Sequence, residues 1–374
     1  MQKLIKLLIS ELFYLRIRII LRKKIKSIIG NIEVDLSIMD KYKDEYIQYW
    51  RKLDKNANFD WFKAYASING IIDIRYASEI TYYNIFEPTL NNAIFGEAYS
   101  DKNNYHRFIN KSYLPKILLR CIQGVFMDEE YQGISDLNIH IENILQKHEK
   151  VVCKKTIETG GGADVEILKK SDRGFLDKQN NIIQIDELER RFGQSFLIQE
   201  YIEQHPFFSQ FNPSSVNTIR IFTYRSVANN QVHVLHSVFR IGKKGALVDN
   251  QASGGISCGI NTSTGTLNNF AIDKYGSKHL ESNQISFSSQ EVPKYIEMKE
   301  IAVEIATLFP YHRLLGFDFA VDNKSIVRVV EVNNRNNEIN FYQMNNGSLF
   351  GEFSEEVIQY CKTSKKQFKI DFEI

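Results

Sequence analysis

The sequence predicts an α+β fold in which antiparallel sheets are flanked by helices. Two observations carry this. From Val151 onward the β-branched and aromatic runs VVCKKT, DVEIL, FLIQEYI, VNTIRIFTYR, VHVLHSVFRIG, LLGFDFAV and SIVRVVEV follow one another, many across hairpin-length gaps. Helical periodicity in that half is confined to PKYIEMKEIAVEIATLF and LFGEFSEEVIQYCKT, so strands outnumber helices, which disfavours a doubly wound sheet.

The bulk numbers agree with a folded chain. At 374 residues there is room for two or three domains, and 43% hydrophobic with 25% charged residues excludes wholesale disorder. A net charge of +2 argues against a general nucleic-acid binder. Cys121, Cys153, Cys258 and Cys361 are far apart and form no CxxC pair, so neither zinc nor a disulfide scaffold is expected and a reducing, cytoplasmic setting fits best.

Residues 1–30 read as a basic amphipathic helix. Leu4, Leu8, Leu12, Leu15 and Ile19 recur at helical spacing, while Arg16, Arg18, Arg22, Lys23, Lys24 and Lys26 interrupt any run long enough to span a bilayer. No small-residue cleavage site follows, which argues against a signal peptide. The helix either lies on an anionic inner leaflet as a peripheral contact or packs on the domain that follows. Residues 31–150 read mostly helical, broken at Pro88 and Pro115 and ending in ISDLNIHIENILQKHEK.

In VVCKKTIETGGGADVEIL a strand carrying Lys154 and Lys155 runs into Gly160, Gly161 and Gly162. Glycines let backbone N–H groups approach phosphate closely, yet no GK[ST] or following helix makes this a Walker loop. It is a hairpin that could fold over a nucleotide, or a flexible turn with surface lysines. SFLIQEYIEQH could offer its backbone edge to a purine, with Glu203 free for ribose, or run into an exposed loop. In NPSSVNTIRIFTYR, Asn217 opens a strand on which Thr218, Arg220 and Phe222 share a face. An arginine in so apolar a strand needs a phosphate or an internal acid, and Arg240 in HSVFRIG raises the same demand. VDNQASGGISCGINTSTG, with Asp249, Asn250, Gly254 and Gly255, reads as a substrate loop or a long hairpin connection.

The densest chemistry lies in GFDFAVDNKSIVRVVEVNN. The turn signal Asp322-Asn323-Lys324 makes it an antiparallel hairpin, and an even loop of two or four residues puts Asp318, Glu331 and Asn333 on one face. Phe317, Phe319, Val330 and Val332 then anchor the other. Two carboxylates and an amide oxygen on one face suit a hard cation such as Mg²⁺, unless Arg328 or Lys324 neutralises a solvated face. An odd loop without a bulge would undo this convergence.

Taken in order, the lysine strand with its glycine turn, QEYI, NTIR, and Asp followed by E-x-N resemble the ATP-grasp superfamily. SSVNTIRI, VDNQASGGISCGI, LLGFDFAV and VVEVNN are similar to its sugar-transfer-associated branch, found with capsule and O-antigen genes, over roughly residues 95–360. The resemblance implies two subdomains gripping ATP, one over 151–204 bearing the glycine lid and one over 205–374 bearing the metal site. It implies that Lys102 and Lys154 or Lys155 contact phosphate, that Gly160 to Gly162 form the lid, and that Glu200, Tyr201 and Ile202 receive adenine, with Glu203 near the ribose. Asn217 and Arg220, with Arg240, would face the phosphates; Asp318, Glu331 and Asn333 would hold Mg²⁺; and Asp249, Asn250, Gly254, Gly255 and Arg335 would address the substrate. Two departures stand out: Lys154-Lys155 replaces the usual Lys-Pro, and NRNNEIN replaces a Pro-Gly turn near the acceptor site.

The function implied is an ATP-dependent carboxylate–amine ligase acting through an acyl phosphate. Its substrates would be small molecules, a hexuronic acid and an amino acid or similar amine. The alternatives are a peptide-type ligase and a non-catalytic nucleotide-binding membrane adaptor.

Overall fold

The chain is described here, from a computed structural model, for residues 2–34, 39–157, 164–172 and 174–364. Its N-terminal layer is helical: α1 (Gln2–Asn31), α2 (Lys43–Arg51) and α3 (Asp60–Asn69). Among the described side chains of α1, the buried ones lie in its second part. Leu21, Ile25 and Ile28 are buried in one cluster with Tyr46 and Trp50 of α2 and Trp61, Phe62 and Tyr65 of α3. Leu12, Phe13, Leu15, Ile19 and Ile20 are exposed. The side chains of Leu4 and Leu8 are not among those described. No described helix is long and apolar enough to cross a membrane.

The first sheet contains β1 (Ile117–Ile122), β2 (Val125–Met127), β3 (Lys150–Lys155), β4 (Val165–Ser171), β5 (Gly174–Leu176), β6 (Ile182–Ile183) and β7 (Ser195–Glu200). Their order is β2-β1-β7-β3-β4-β5-β6, with antiparallel pairing at every junction. Strand alternation divides β3: Val151 and Cys153 enter a core with Leu119, Leu168, Phe196 and Ile198, leaving Val152 and Lys154 for the other face. Ile144 of α4 (Leu137–Lys147), with Leu188 and Phe192 of α5 (Ile185–Phe192), closes that core.

The sheet begins earlier than the change of texture at Val151. β1 and β2 lie in the stretch read as mostly helical, joined by Gln123 (φ 50°) and Gly124 (φ 78°), with Ile122 opposite Val125. Two successive left-handed residues make a tight hairpin turn, and the Gln-Gly pair between apolar runs was its signal.

The second sheet holds β8 (Thr218–Arg225), β9 (Val232–Ile241), β10 (Ile256–Ile260), β11 (Leu267–Ile272), β12 (Lys278–His279), β15 (Leu314–Val321) and β16 (Val327–Asn333). A separate two-stranded ribbon pairs β13 (Glu281–Ser282) with β14 (Ile285–Ser286). The order is β12-β11-β10-β9-β8-β15-β16. Ile219, Ile221, Phe239, Phe317 and Phe319 face α6 (Tyr295–Thr307), where Met298, Ile301, Ala302 and Ile305 meet them. The opposite face is shared. Phe222, Tyr224 and Leu314 pack under the N-terminal helices and α7 (Asn340–Asn346) and α8 (Ser354–Thr363), while Thr218, Arg220 and Asp318 line a cleft. Each fully buried aliphatic or aromatic side chain stabilises this arrangement by about 1.5–3 kcal/mol.

The β15–β16 hairpin corrects one expectation. Val321 pairs with Val327, so the loop is odd, residues 322–326, rather than even. Asp322 organises it, its carboxylate accepting the N–H groups of Lys324 and Ile326, each at 2.9 Å. A bulge restores the expected facing: Phe319 pairs with Val329 but Asp318 pairs with Glu331, leaving Val330 unopposed. Val330 is therefore half-buried in the cleft wall, and Val329 takes the core position assigned to it.

Gly255 closes the turn into β10. A Cβ there would stand 2.8 Å from the carbonyl oxygens of Asp249 and Ile241. Because both contacts are backbone, Gly255→Ala is expected to destabilise the fold by about 1–3 kcal/mol, measured by thermal or denaturant unfolding. Unchanged stability would show that the loop carrying Asp249 yields freely.

Candidate active site

A cleft of about 580 Å³ runs between the sheets, lined by both and by the loops 247–250 and 334–338. Its apolar end is Val152, Val165, Ile167, Tyr201 and Ile202; its charged end gathers Lys102, Lys154, Arg220, Arg240, Asp318 and Glu331. Along β3 alternation turns Val152 and Lys154 to the cleft together, β4 adds Val165 and Ile167, and β8, β15 and β16 add Arg220, Asp318 and Glu331.

Arg220 and Asp318 are directly opposed on β8 and β15, and Asp318 is opposed in turn to Glu331 on β16. Arg220 grips Asp318 with two donors, Nε at 2.6 Å from Oδ1 and Nη2 on Oδ2. Arg240 adds Nη1 at 3.3 Å and also lies 3.5 Å from Asp249, which accepts the Thr218 N–H at 3.0 Å. Burial works against ionising Asp318, but Arg220 and Arg240 outweigh it and hold its carboxyl below the usual range. Burial likewise opposes ionisation of Glu331, which Lys102 overcomes from 2.7 Å. At Asp249 burial prevails over Arg240 and the pKa rises.

Lys154 is the poised cation. Its Nζ donates to the Val330 carbonyl at 3.4 Å. Burial first, then the charge of Lys102, push it down to about 7 against the pull of Glu331. Lys155 also lines the cleft.

The expected metal trio is together. Asn333 Nδ2 lies 3.5 Å from Asp318 Oδ2, beside Glu331. Two carboxylates and an amide are hard oxygen donors that fit Mg²⁺. Among the described residues no group of three or more His, Cys, Asp or Glu could hold a metal ion. An ion here would take the rest of its shell from an anionic ligand and water.

Other expected residues fall elsewhere. The side chain of Asn217 turns inward: its Nδ2 donates to the carbonyls of Phe208 and Asn212, and its Oδ1 accepts from Ser215 and the Gly242 N–H. It braces the start of β8 behind the cleft wall. Glu203 sits at the hairpin turn, bonded through both side chain and carbonyl to Asn323. Glu200 ends β7, its N–H donating to the Lys116 carbonyl, and does not line the cleft, whereas Tyr201 and Ile202 do. Asp249 and Asn250 line it; Gly254 and Gly255 support their loop from behind. Gly160, Gly161 and Gly162 lie outside the described residues.

The loop after β16 brings in residues that strand patterning could not find. Arg335 lines the cleft and pairs with Glu97. Asn334 donates to the Gly96 carbonyl, and Asn337 donates its N–H to Glu87 Oε1 and accepts the Tyr83 hydroxyl. Glu338 lines the cleft and reaches Lys24 of α1, 3.5 Å away. No periodicity links these positions; their common signal was an unusual density of asparagine.

The family model described as sugar-transfer associated ATP-grasp matches residues 90–357. No curated protein matches the chain. Among solved structures it is similar to an N5-carboxyaminoimidazole synthetase from Staphylococcus aureus complexed with ADP, at 9% identity and TM-score 0.39, covering 73% of this chain and 53% of that one. It is also similar to a biotin carboxylase from Campylobacter jejuni (13%, TM-score 0.42, covering 73% and 47%) and to the ATP-grasp ligase PsnB complexed with minimal precursor, Mg and ADP (14%, TM-score 0.40, covering 73% and 62%). The chain thus spans about half to three fifths of the length of these structures.

The Lys154 ammonium is half-populated near pH 7 and lost above it, and a polyphosphate in the cleft would favour the charged form. Binding of ADP, used as the probe, is expected to take up a proton and to weaken as pH rises above 7, by up to about tenfold per unit. Calorimetry in buffers of different ionisation enthalpy measures the uptake, and Lys154→Met should abolish it. Buffer-independent heats would place the titration elsewhere.

Proposed function

The chain belongs to the sugar-transfer-associated ATP-grasp family, and from that premise we propose an ATP-dependent carboxylate–amine ligase that acts on a hexuronic acid and an amino acid or similar amine in surface-polysaccharide biosynthesis. It would work in the cytoplasm, at the inner face of the membrane. The cleft supports this most directly: lysines from one sheet and its approach face arginines and paired carboxylates from the other across a space of nucleotide size.

In this reading adenine lies among Val152, Ile167, Tyr201 and Ile202, and the phosphates extend toward Lys102, Lys154 and Arg220. Asp318, Glu331 and Asn333 would hold Mg²⁺, whose charge screens the phosphates when bound. The acceptor carboxylate oxygen attacks the γ-phosphorus in line and ADP departs. Lys154 and Arg220 lie where charge develops in that transfer. The amine nitrogen then attacks the acyl carbon, loses a proton and expels phosphate, leaving an amide. Arg335 and Glu338, at the mouth formed by the NRNNE loop, address the acceptor. The chain supplies position and charge and needs no covalent nucleophile of its own.

Phosphate release from MgATP with pooled uronic acids and amines should require both pools and should fall roughly 10²–10³-fold in Glu331→Ala. ATP bound without turnover in any pool would favour a non-catalytic adaptor. Turnover with paired amino acids and none with uronic acids would favour the peptide-type ligase.

A further inference from the structure

The mechanism leaves unused a second cavity at the junction of α1, α2 and α3, whose lining includes no strand residue. It measures about 380 Å³ and is lined by Arg22, Asp40, Lys43, Asn56, Asn58 and Lys63, among others. Lys63 is paired with Asp60 at 2.8 Å, but Arg22 and Lys43 have no ion pair among the described residues. Arg22 belongs to α1 and follows Leu21, where the buried side chains of the helix give way to a run of exposed apolar ones. There Leu12, Phe13, Leu15, Ile19 and Ile20 are 48–66% exposed, with Arg16 and Lys23 exposed between them.

Exposed apolar side chains of this size cost free energy in water, so the face calls for a cover. A second copy would set Arg16, Arg22 and Lys23 near the same cations of its partner. An anionic bilayer gives both halves of the surface what they lack: an apolar boundary for the isoleucines and leucines, and phosphate oxygens for the cations. The asparagine amides of the cavity add neutral donors of the kind that bind phosphate beside a cation.

We propose that the exposed face of α1 docks on an anionic phospholipid bilayer, with the Arg22–Lys43 cavity receiving a lipid phosphate headgroup. Docking is independent of the ligase reading, since neither surface contains a cleft residue. It also gives the acceptor loop a fixed relation to the bilayer, because Lys24 of the same helix holds Glu79 at 3.0 Å and Glu338 at 3.5 Å.

The test is flotation of the full chain with vesicles of phosphatidylcholine alone or with about 30 mol% phosphatidylglycerol, at low and high salt. Retention should need the anionic lipid and fall with salt. Each cation near such a surface is worth about 1 kcal/mol, so R22E with K43E should weaken retention by roughly tenfold or more. Ile19→Asp with Ile20→Asp should abolish it. All these positions are exposed, and unfolding curves and ADP binding should stay unchanged. Retention on neutral vesicles equal to that on anionic ones, or no loss in the charge variant, would overturn the headgroup site. Absence of retention, with a concentration-dependent dimer that the isoleucine variant dissolves, would assign the face to a second copy.

Discussion

The buried pair between Arg220 and Asp318 is the interaction on which the charged end of the cleft depends. Asp318 is nearly inaccessible, and its strand neighbour on the other side is a second carboxylate. Two adjacent acids in a low-dielectric wall would repel each other strongly unless each had a cation within bonding distance. Arg220 supplies one from the adjoining strand, and Lys102 supplies the other from the segment preceding β1. The row Arg220–Asp318–Glu331–Lys102 thus crosses three strands and ends on a residue from outside the sheet. Charge balance therefore couples the position of the pre-β1 segment to the second sheet.

That balance explains why the cleft can be basic without being empty of acids. Arg240 extends the network to Asp249, whose carboxylate also fixes the first N–H of β8. The arginines are held in place before any ligand arrives, by carboxylates that are themselves hard-oxygen donors. Lys154 differs from the arginines in having no ion pair among the described residues, and burial and Lys102 depress its pKa.

Strand alternation made much of this legible in advance. It placed Asp318, Glu331 and Asn333 on one face and put Arg220 in need of an anion, because a period of two needs only local sequence. It could not choose between a phosphate and an internal acid as the partner of Arg220, since that depends on which strand lies alongside. The bulge at Val330 was equally out of reach: two errors, an odd loop and an extra residue, cancel at Glu331 but not at Val330 or Val329. Asn217 and Glu203 looked functional by position, yet a side chain beside a cleft can turn either way. Inward hydrogen bonds to Phe208, Asn212, Ser215 and Gly242 decide the case for Asn217, and Asn323 decides it for Glu203. The β1–β2 turn, by contrast, was written in Gln123-Gly124 and passed over.

The part of the cleft lined by the loop after β16 obeys a different logic from the rest. Its loop has no strand to hold it, so each residue must be fixed by a separate polar contact. The N-terminal helical layer supplies those contacts: Glu87 and Tyr83 on Asn337, Asn91 on the Asn334 carbonyl, Glu97 on Arg335, and Lys24 on Glu338. Glu87 is buried, and burial pushes its pKa up to about 7 despite the N–H groups of Asn336 and Asn337 that favour its anion. A layer that patterning could tie to no part of the cleft is thus the scaffold of the loop that lines it through Arg335 and Glu338. The same layer also touches the strands that carry the row, through Asn91 on Leu314 of β15 and through the packing of Phe222 of β8, so the loop after β16 and the Arg220–Asp318–Glu331 row rest on one support.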